Sequence, residues 1–295
     1  MKAAAFDYVR PTSLNEVCGY LADENVDVRI IAGGQSLVPM MAMRLVRPEL
    51  LVDINAVAAL AGIARDGDDV VIGAATRQAT AERAALVRND LPLLALALPF
   101  IGHDQTRNRG TVGGSLAHAD PSAEIGLIAA TLGAIVVATD GNTERRIAAQ
   151  DYFQGPMTTA LGPGDCLTAV HFPVWPKDGR LGVGFQEVSS RDSDFAIVAA
   201  AAQITLDADG LCRRVALAIA NAAPTPVRLP RLEDALVGER PTEETIAKLL
   251  PLVNEAIDPP SDLHASAAAR RQMARSLISR AILQAARRAG EPVNA

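Results

Sequence analysis

Apolar and polar positions alternate along this chain with two periods, and their order suggests a mixed α+β protein. Ser13 followed three positions later by Glu16 reads as a capping box that opens a helix running through Leu21. Val28 to Ala32 is a short apolar strand leading straight into Gly33-Gly34. A helix from about Leu37 to Leu45, closed by the Arg47-Pro48 step, and a strand from Leu50 to Ile54 follow. Gly62 to Ala64 and Val70 to Ile72 flank an Asp-Gly turn, the chemistry of a β-hairpin. Helices are predicted for Thr80 to Val87, for Leu91 to Leu98 with Pro92 early in its first turn, and for Ile125 to Leu132. Gly102 to Ser115 reads as a long polar loop, of the kind that in a compact domain usually carries function. Ala134 to Ala138 is a strand.

After the punctuation Pro173-Val-Trp-Pro176 the pattern changes. Val183 to Val188, Ala199 to Leu206 and Val215 to Asn221 read as antiparallel strands, and Glu243 to Ala256 and Ser266 to Ala289 as helices. The predicted organisation is residues 1–176, divided near 57 into subdomains 1–57 and 58–176, then residues 177–295.

Composition narrows the classes of function. With 49% hydrophobic and 21% charged residues the 295-residue chain has material for a full core, and at 3% aromatic that core is built from Ala, Val, Leu and Ile. A net charge of −6 opposes binding to a polyanion such as nucleic acid. Cys18, Cys166 and Cys212 are too widely spaced for a metal site or a CxxC pair, so the chain offers neither a metal centre nor ligands for an iron–sulfur cluster. The absence of a long apolar run or a secretory leader pattern predicts a cytoplasmic protein without a membrane span.

The candidate chemistry lies in two glycine pairs. Ala32-Gly33-Gly34-Gln35-Ser36 follows a strand and precedes a helix, and Thr111-Val112-Gly113-Gly114-Ser115 repeats that composition. Glycines there let backbone N–H groups converge on an anion, with the Ser36, Thr111 and Ser115 hydroxyls as supplementary partners. Two such loops suit the pyrophosphate of a dinucleotide. Neither has the GxGxxG or GxxxxGK[ST] spacing, which disfavours a Rossmann NAD domain and a P-loop.

The runs Ile31-Ala-Gly-Gly-Gln-Ser-Leu-Val-Pro39 and Arg107-Asn-Arg-Gly-Thr-Val-Gly-Gly-Ser-Leu-Ala-His-Ala-Asp-Pro-Ser-Ala-Glu124, with Gly73-Ala-Ala-Thr76 and Gly184-Phe-Gln-Glu-Val-Ser-Ser-Arg191, closely resemble the FAD-binding medium subunit of molybdenum hydroxylases of the carbon monoxide dehydrogenase and xanthine dehydrogenase type. The resemblance implies an FAD-binding region of two α+β subdomains and a small C-terminal domain of antiparallel sheet and helices. It implies cofactor contacts at Ile31, Ala32, Gly33, Gly34, Gln35, Ser36 and Leu37, and at Thr111, Val112, Gly113, Gly114 and Ser115. Further flavin neighbours are implied at Ile101, Ala117, Glu124, Leu167 and Gln186. Four positions depart from the usual pattern: Gln35 where many relatives have His, Ser115 where others have Gly or Asn, Glu124 where Asp is usual, and Gln186 where Lys is frequent.

The function so implied is electron transfer. A large subunit holding a molybdenum cofactor oxidises the substrate, a small subunit carries two [2Fe–2S] clusters, and this chain takes the electrons on FAD, in a dimer of heterotrimers. Two other readings stand beside it: a self-contained flavin oxidase, and an assembly subunit without flavin. No residue is assigned catalysis. His103 and His118 are expected to serve structure or hydrogen bonding, Asp104 with Arg107 and Arg109 to form an ion-pair cluster, and Asp120 to cap the helix through Leu132. The arginines at 270, 271, 275, 280, 287 and 288 read as a solvated basic face over an apolar stripe of Met273, Leu277, Ile278 and Ile282, with docking on an acidic partner as the alternative.

Overall fold

The computed structural model describes residues 2–290, which divide into two compact units. The first takes the chain through Val87, His103–Ala119 and Ala134–Pro173; the second takes Arg88–Gly102, Asp120–Gly133 and the chain from Val174. Segments 88–102 and 120–133 of the N-terminal stretch thus belong with the C-terminal residues.

In the first unit β1 (Asp7–Val9), β2 (Val28–Ile31) and β3 (Leu50–Asp53) form a parallel sheet with β3 in the centre. The helix Leu14–Leu21 buries Val17, Cys18 and Leu21 in a core shared with Val52 and Ile54. Ser13 caps it by accepting from the Glu16 amide at 3.3 Å, while the Glu16 carboxylate reaches the Thr12 amide at 2.9 Å, one residue earlier than a strict capping box. The expected hairpin is β4 (Ile63–Asp66) and β5 (Asp69–Gly73), turning through Gly67 at φ +55°. A five-stranded antiparallel sheet runs β4-β5-β10-β6-β7, with β6 at Ile135–Thr139, β7 at Glu144–Ala148 and β10 at Cys166–Pro173. β8 (Phe153–Gly155) and β9 (Thr158–Thr159) make a small ribbon.

Some sequence expectations needed revision. The stretch from 102 to 115 is mostly helical: Asp104–Arg109 and Val112–His118 are helices hinged at Gly110-Thr111. Its polarity reflects solvated and ion-paired faces, not irregular backbone. The predicted helix at 80–87 is two short ones, Gln78–Arg83 and Ala85–Asp90. The predicted helix at 243–256 breaks at Pro251, which lacks an amide hydrogen, into Glu243–Leu249 and Pro251–Ala256.

The second unit is built on an antiparallel sheet of β11 (Arg180–Ser189), β12 (Ala196–Leu206), β13 (Cys212–Ala220) and β14 (Val227–Arg228). The long helix Ala267–Gly290 lies against β11 and β12 so closely that a Cβ at Gly182 would sit 1.9 Å from the Ala285 carbonyl oxygen, and one at Gly184 2.0 Å from that of Ala281. Leu277, Ile278 and Ile282 form the buried stripe expected of that helix, with Met273 packed beside them. Arg270 departs from the basic face: it is 1% exposed, donates to the Ile197 and Asn221 carbonyls, and pairs with Asp262 at 2.5 Å. The helices Pro92–Ala97 and Glu124–Leu132 also pack on this sheet. Asp120 is not the cap of the latter, whose N-cap is Ala123; its carboxylate accepts instead from the Ser122 amide and hydroxyl at 2.9 and 2.6 Å. No described helix is long and apolar enough to cross a membrane.

Candidate functional site

The first glycine loop begins where β2 leaves its parallel sheet. Gly34 adopts φ +72°, the left-handed conformation that an L side chain disfavours, and turns the chain into the Leu37–Ala42 helix. Gly33 answers a different need. A Cβ there would lie 2.4 Å from the Arg109 carbonyl oxygen and 2.8 Å from the Gly110 Cα, so the first loop touches, backbone to backbone, the residues that lead into the second.

The second loop is fixed by its own packing. Thr111 Oγ accepts from the Gly114 amide at 3.0 Å and caps the Val112–His118 helix. Gly113 rests on β5's end, where a Cβ would come within 2.6 Å of the Ala74 Cα, and its amide donates to the Ala74 carbonyl at 2.9 Å. Val112 is fully buried, so its side chain belongs to the core and only its backbone faces the loop. A Cβ on Gly114 would stand 4.0 Å from that of Ala32. The two loops are therefore neighbours within one unit.

Beside them lies a cavity of about 400 Å³ lined by Ile31 to Gln35, Val38 and Pro39 together with Asp53, Asn55 and Arg109. Among the described residues, no protein acceptor takes the amide hydrogens of Gly33, Gly34, Gln35 and Ser36. Amides without a protein acceptor, on a loop beside a cavity, are the donor set that a phosphate oxygen requires. Neither neighbouring helix is long: Leu37–Ala42 spans six residues and Val112–His118 seven. The loop amides, more than any helix dipole, are the donors available to an anion there.

A polar network that sequence reading did not find holds the cradle. Asn55 donates to the Ala32 carbonyl at 2.8 Å and to Asp53 at 2.5 Å. Arg77 donates to the Asn55 side-chain oxygen at 2.6 Å and to the Arg109 carbonyl, so one guanidinium bridges the two loops. Burial and the Arg109 charge lower the Arg77 pKa. Asp53, which also accepts from the Tyr8 hydroxyl at 2.5 Å, has its carboxyl held below the usual carboxylate range by hydrogen bonds from Tyr8 and Asn55, although burial acts in the opposite direction. These residues carry no motif; a strand end followed by Asp-Ile-Asn is the one local signal.

Of the expected ion-pair cluster, Arg107 pairs with Asp104 and, at 2.8 Å, with Glu82, whereas Arg109 lies in the cavity wall. Ala117 is exposed on the helix after the second loop, and Leu167 is buried in β10 beside a bulge. Ile101, Glu124 and Gln186 belong to the second unit. Gln186 is engaged there, donating to the Gln284 side-chain oxygen at 3.0 Å on the face covered by the long helix. The three cysteines are free and buried, and burial pushes the Cys166 and Cys212 thiols up to about 12 and 11.

Residues 4–175 match the model of the FAD binding domain in molybdopterin dehydrogenase, and residues 184–285 that of the CO dehydrogenase flavoprotein C-terminal domain. The chain belongs to this family of FAD-binding subunits. It is 37% identical to the 6-hydroxypseudooxynicotine dehydrogenase complex subunit alpha of Paenarthrobacter nicotinovorans, covering 98% of this chain and 97% of that one. It is 35% identical to the carbon monoxide dehydrogenase medium chain of Afipia carboxidovorans, over 98% of this chain and 99% of that one. Among solved structures, quinoline 2-oxidoreductase from Pseudomonas putida 86 contains a chain that superposes with a TM-score of 0.93 at 37% identity, covering 99% of this chain and all of that one. The α+β fold, the FAD cofactor and the oxidoreductase class expected from the sequence are those of the family.

The residues present fit that cofactor. Gly33 lets the two loops meet backbone to backbone, the first loop has amides without a protein acceptor among the described residues, and Arg109 stands in the wall of the cavity beside it.

Proposed function

We propose that this chain is the electron-transferring FAD subunit of a heteromeric molybdenum hydroxylase. In this reading it takes electrons from [2Fe–2S] clusters on a small partner subunit, a large partner subunit carries the molybdenum cofactor and oxidises the substrate, and the assembly is a dimer of heterotrimers. When bound, FAD supplies the capacity to accept electrons singly and release them in pairs. The chain's own residues bind and orient it. Residues 31–37 and 111–115 would hold the pyrophosphate and ribityl chain, Arg77 and Asn55 would keep the two loops in register, and Ile101, Ala117, Glu124, Leu167 and Gln186 complete the proposed set. Residues 1–176 would then serve as the FAD-binding domain and 177–295 as the C-terminal flavoprotein domain.

The observation that carries this reading is the pair of loops locked through Gly33 against Arg109 and Gly110, beside amides with no protein acceptor. Substrate choice on another chain is supported by the relatives themselves. Their names speak of carbon monoxide, 6-hydroxypseudooxynicotine and quinoline, molecules with little in common, at nearly the same identity to this chain.

The test is reduction of the bound flavin. The purified chain should be yellow, and its flavin should bleach with substrate only after the molybdenum and iron–sulfur subunits are added. A chain that oxidises a small molecule by itself would be a self-contained oxidase, and a colourless chain that takes up no FAD would be an assembly subunit. Either result overturns the proposal.

A further inference from the structure

The cavity beside the first glycine loop has a carboxylate in its wall as well as amides nearby. Asp53 ends β3, the central strand of the parallel sheet, in register with Ile31, the last residue of β2 before the loop. Parallel strands end on the same edge, and ligands of such sheets lie in the crevice outside their carboxyl ends. Ile31 to Gln35 and Asp53 accordingly line one cavity, within one unit. Asp53 Oδ1 accepts from the Asn55 amide at 2.9 Å and from its side-chain nitrogen at 2.5 Å, and Oδ2 accepts from the Tyr8 hydroxyl at 2.5 Å. Burial favours the neutral acid, but these hydrogen bonds outweigh it and hold the carboxyl below the usual range, so at neutral pH the wall carries an anion.

A carboxylate offers about four acceptor positions, and three are taken. The remaining one is on Oδ2: Arg10 Nε stands at 3.8 Å, beyond hydrogen-bond reach, and among the described residues no further donor bonds this oxygen. A phosphate oxygen is repelled from that position, whereas a neutral hydroxyl donating to it is bound by a charge-assisted hydrogen bond. FAD, the cofactor of this family, carries donors of two kinds. Its N–H groups lie at the far ends, on the adenine and flavin rings, and its hydroxyls lie on the two sugar chains that flank the pyrophosphate. Only the hydroxyls are next to a phosphate. Loop amides at the end of β2 and one open carboxylate position at the end of β3 therefore match a phosphate and the sugar attached to it.

We propose that Asp53 is a sugar-recognition residue, whose Oδ2 accepts a hydroxyl of the ribose or ribityl chain beside the pyrophosphate. This rests on the FAD-binding reading of the loops, and not on the electron path or the partner subunits. Asn55 is the positioning residue behind it. Its side-chain nitrogen donates both to Asp53 Oδ1 and, at 2.8 Å, to the Ala32 carbonyl, so one side chain holds the carboxylate and the glycine loop together. The like charges of Asp53 and the pyrophosphate make the arrangement selective: a ligand shifted by one group along the cavity brings a phosphate oxygen against the carboxylate.

The test is equilibrium binding to the full chain freed of flavin, read by flavin fluorescence, with FAD and with analogues that each lack a single hydroxyl on the ribose or on the ribityl chain. One analogue should bind the parent about ten- to a hundredfold more weakly than FAD, the loss of a hydrogen bond to a charged group, and its identity tells which sugar Asp53 holds. In Asp53→Asn the side-chain oxygen is claimed by Asn55 and a nitrogen takes the place of Oδ2, so the response to that deletion should shrink by about tenfold. Tyr8→Phe keeps the carboxylate and should keep the full response. A parent indifferent to every analogue, or an equal response in D53N, overturns the inference and leaves Asp53 as an anchor for Tyr8 and Asn55. If D53N does not fold, the crystal structure of the parent with FAD decides: a sugar hydroxyl within about 3 Å of Oδ2 supports the assignment, and water or a phosphate oxygen there overturns it. A parent that takes up no FAD overturns this inference together with the flavin reading. Binding that follows the hydroxyl, with a flavin that the partner subunits do not reduce, overturns the electron-transfer proposal alone.

Discussion

At the scale of single residues, the cradle depends on what is missing from Gly33. Its hydrogen occupies space that a Cβ would contest with the Arg109 carbonyl at 2.4 Å, and backbone is the least yielding neighbour. Gly33→Val should therefore separate the two loops. The expected outcome is a loss of stability of about 1–3 kcal/mol from overpacking, with a fall of at least about tenfold in FAD affinity if a separation near 1.4 kcal/mol reaches the site. Urea unfolding and flavin fluorescence titration on the same preparation measure both. A variant that folds less stably yet binds FAD with unchanged affinity would show that the contact serves the scaffold alone. The glycines themselves were legible in the sequence because glycine after a strand announces a special backbone. Asn55 and Arg77 were not, since their importance comes from reaching across to Ala32 and Arg109, which no local pattern encodes.

Elements tell a similar story about reach. Strands with strong alternation and helices with caps were readable: β2, β3 and the β4–β5 hairpin lie where their patterns put them. β7, reading Glu-Arg-Arg-Ile-Ala, is a strand that its polar composition hides, because it is an edge strand held by pairing to β6. The Asp104–Arg109 helix was hidden for a related reason: it is stabilised by tertiary ion pairs of Arg107, not by an apolar stripe. The period of the long C-terminal helix is legible in the sequence, but its closeness to β11, which Gly182 and Gly184 permit, is not. Gly184→Leu should lift that helix from the sheet and lower unfolding free energy by about 3 kcal/mol or more, the upper part of the overpacking range. The calorimetric transition is the readout, and an unchanged midpoint would mean that the helix can shift without cost.

For the whole molecule, buried carboxyls make stability depend on pH in an unusual direction. Glu124 and Glu187 have folded-state values raised above the ordinary carboxylate value, so between the two limits the folded chain binds more protons than the unfolded one. Their contribution is fully present below the unfolded carboxylate pKa and is lost as pH rises through about 7 and 8. Compared with the Glu124→Gln, Glu187→Gln double variant, the parent should lose thermal stability between pH 5 and pH 9, by about 3 °C for each pKa unit by which folding raises a carboxyl in a chain of this size. Melting curves of the two proteins that run parallel across that range would contradict the assignment.

The contact between Gly33 and the 109–110 backbone also sets an order of events. A ribosome has displayed the first glycine loop long before it makes the surface against which that loop closes, and joining them costs loop-closure entropy that local turns do not incur. No amino-terminal fragment ending before Gly110 contains a finished cradle. Flavin uptake then becomes a readout of chain completion: it should be negligible for such fragments and abrupt once the second loop is present, and the captured cofactor in turn stabilises the folded chain by mass action. A cell short of riboflavin would accumulate this chain in its least protected form, with consequences for its turnover.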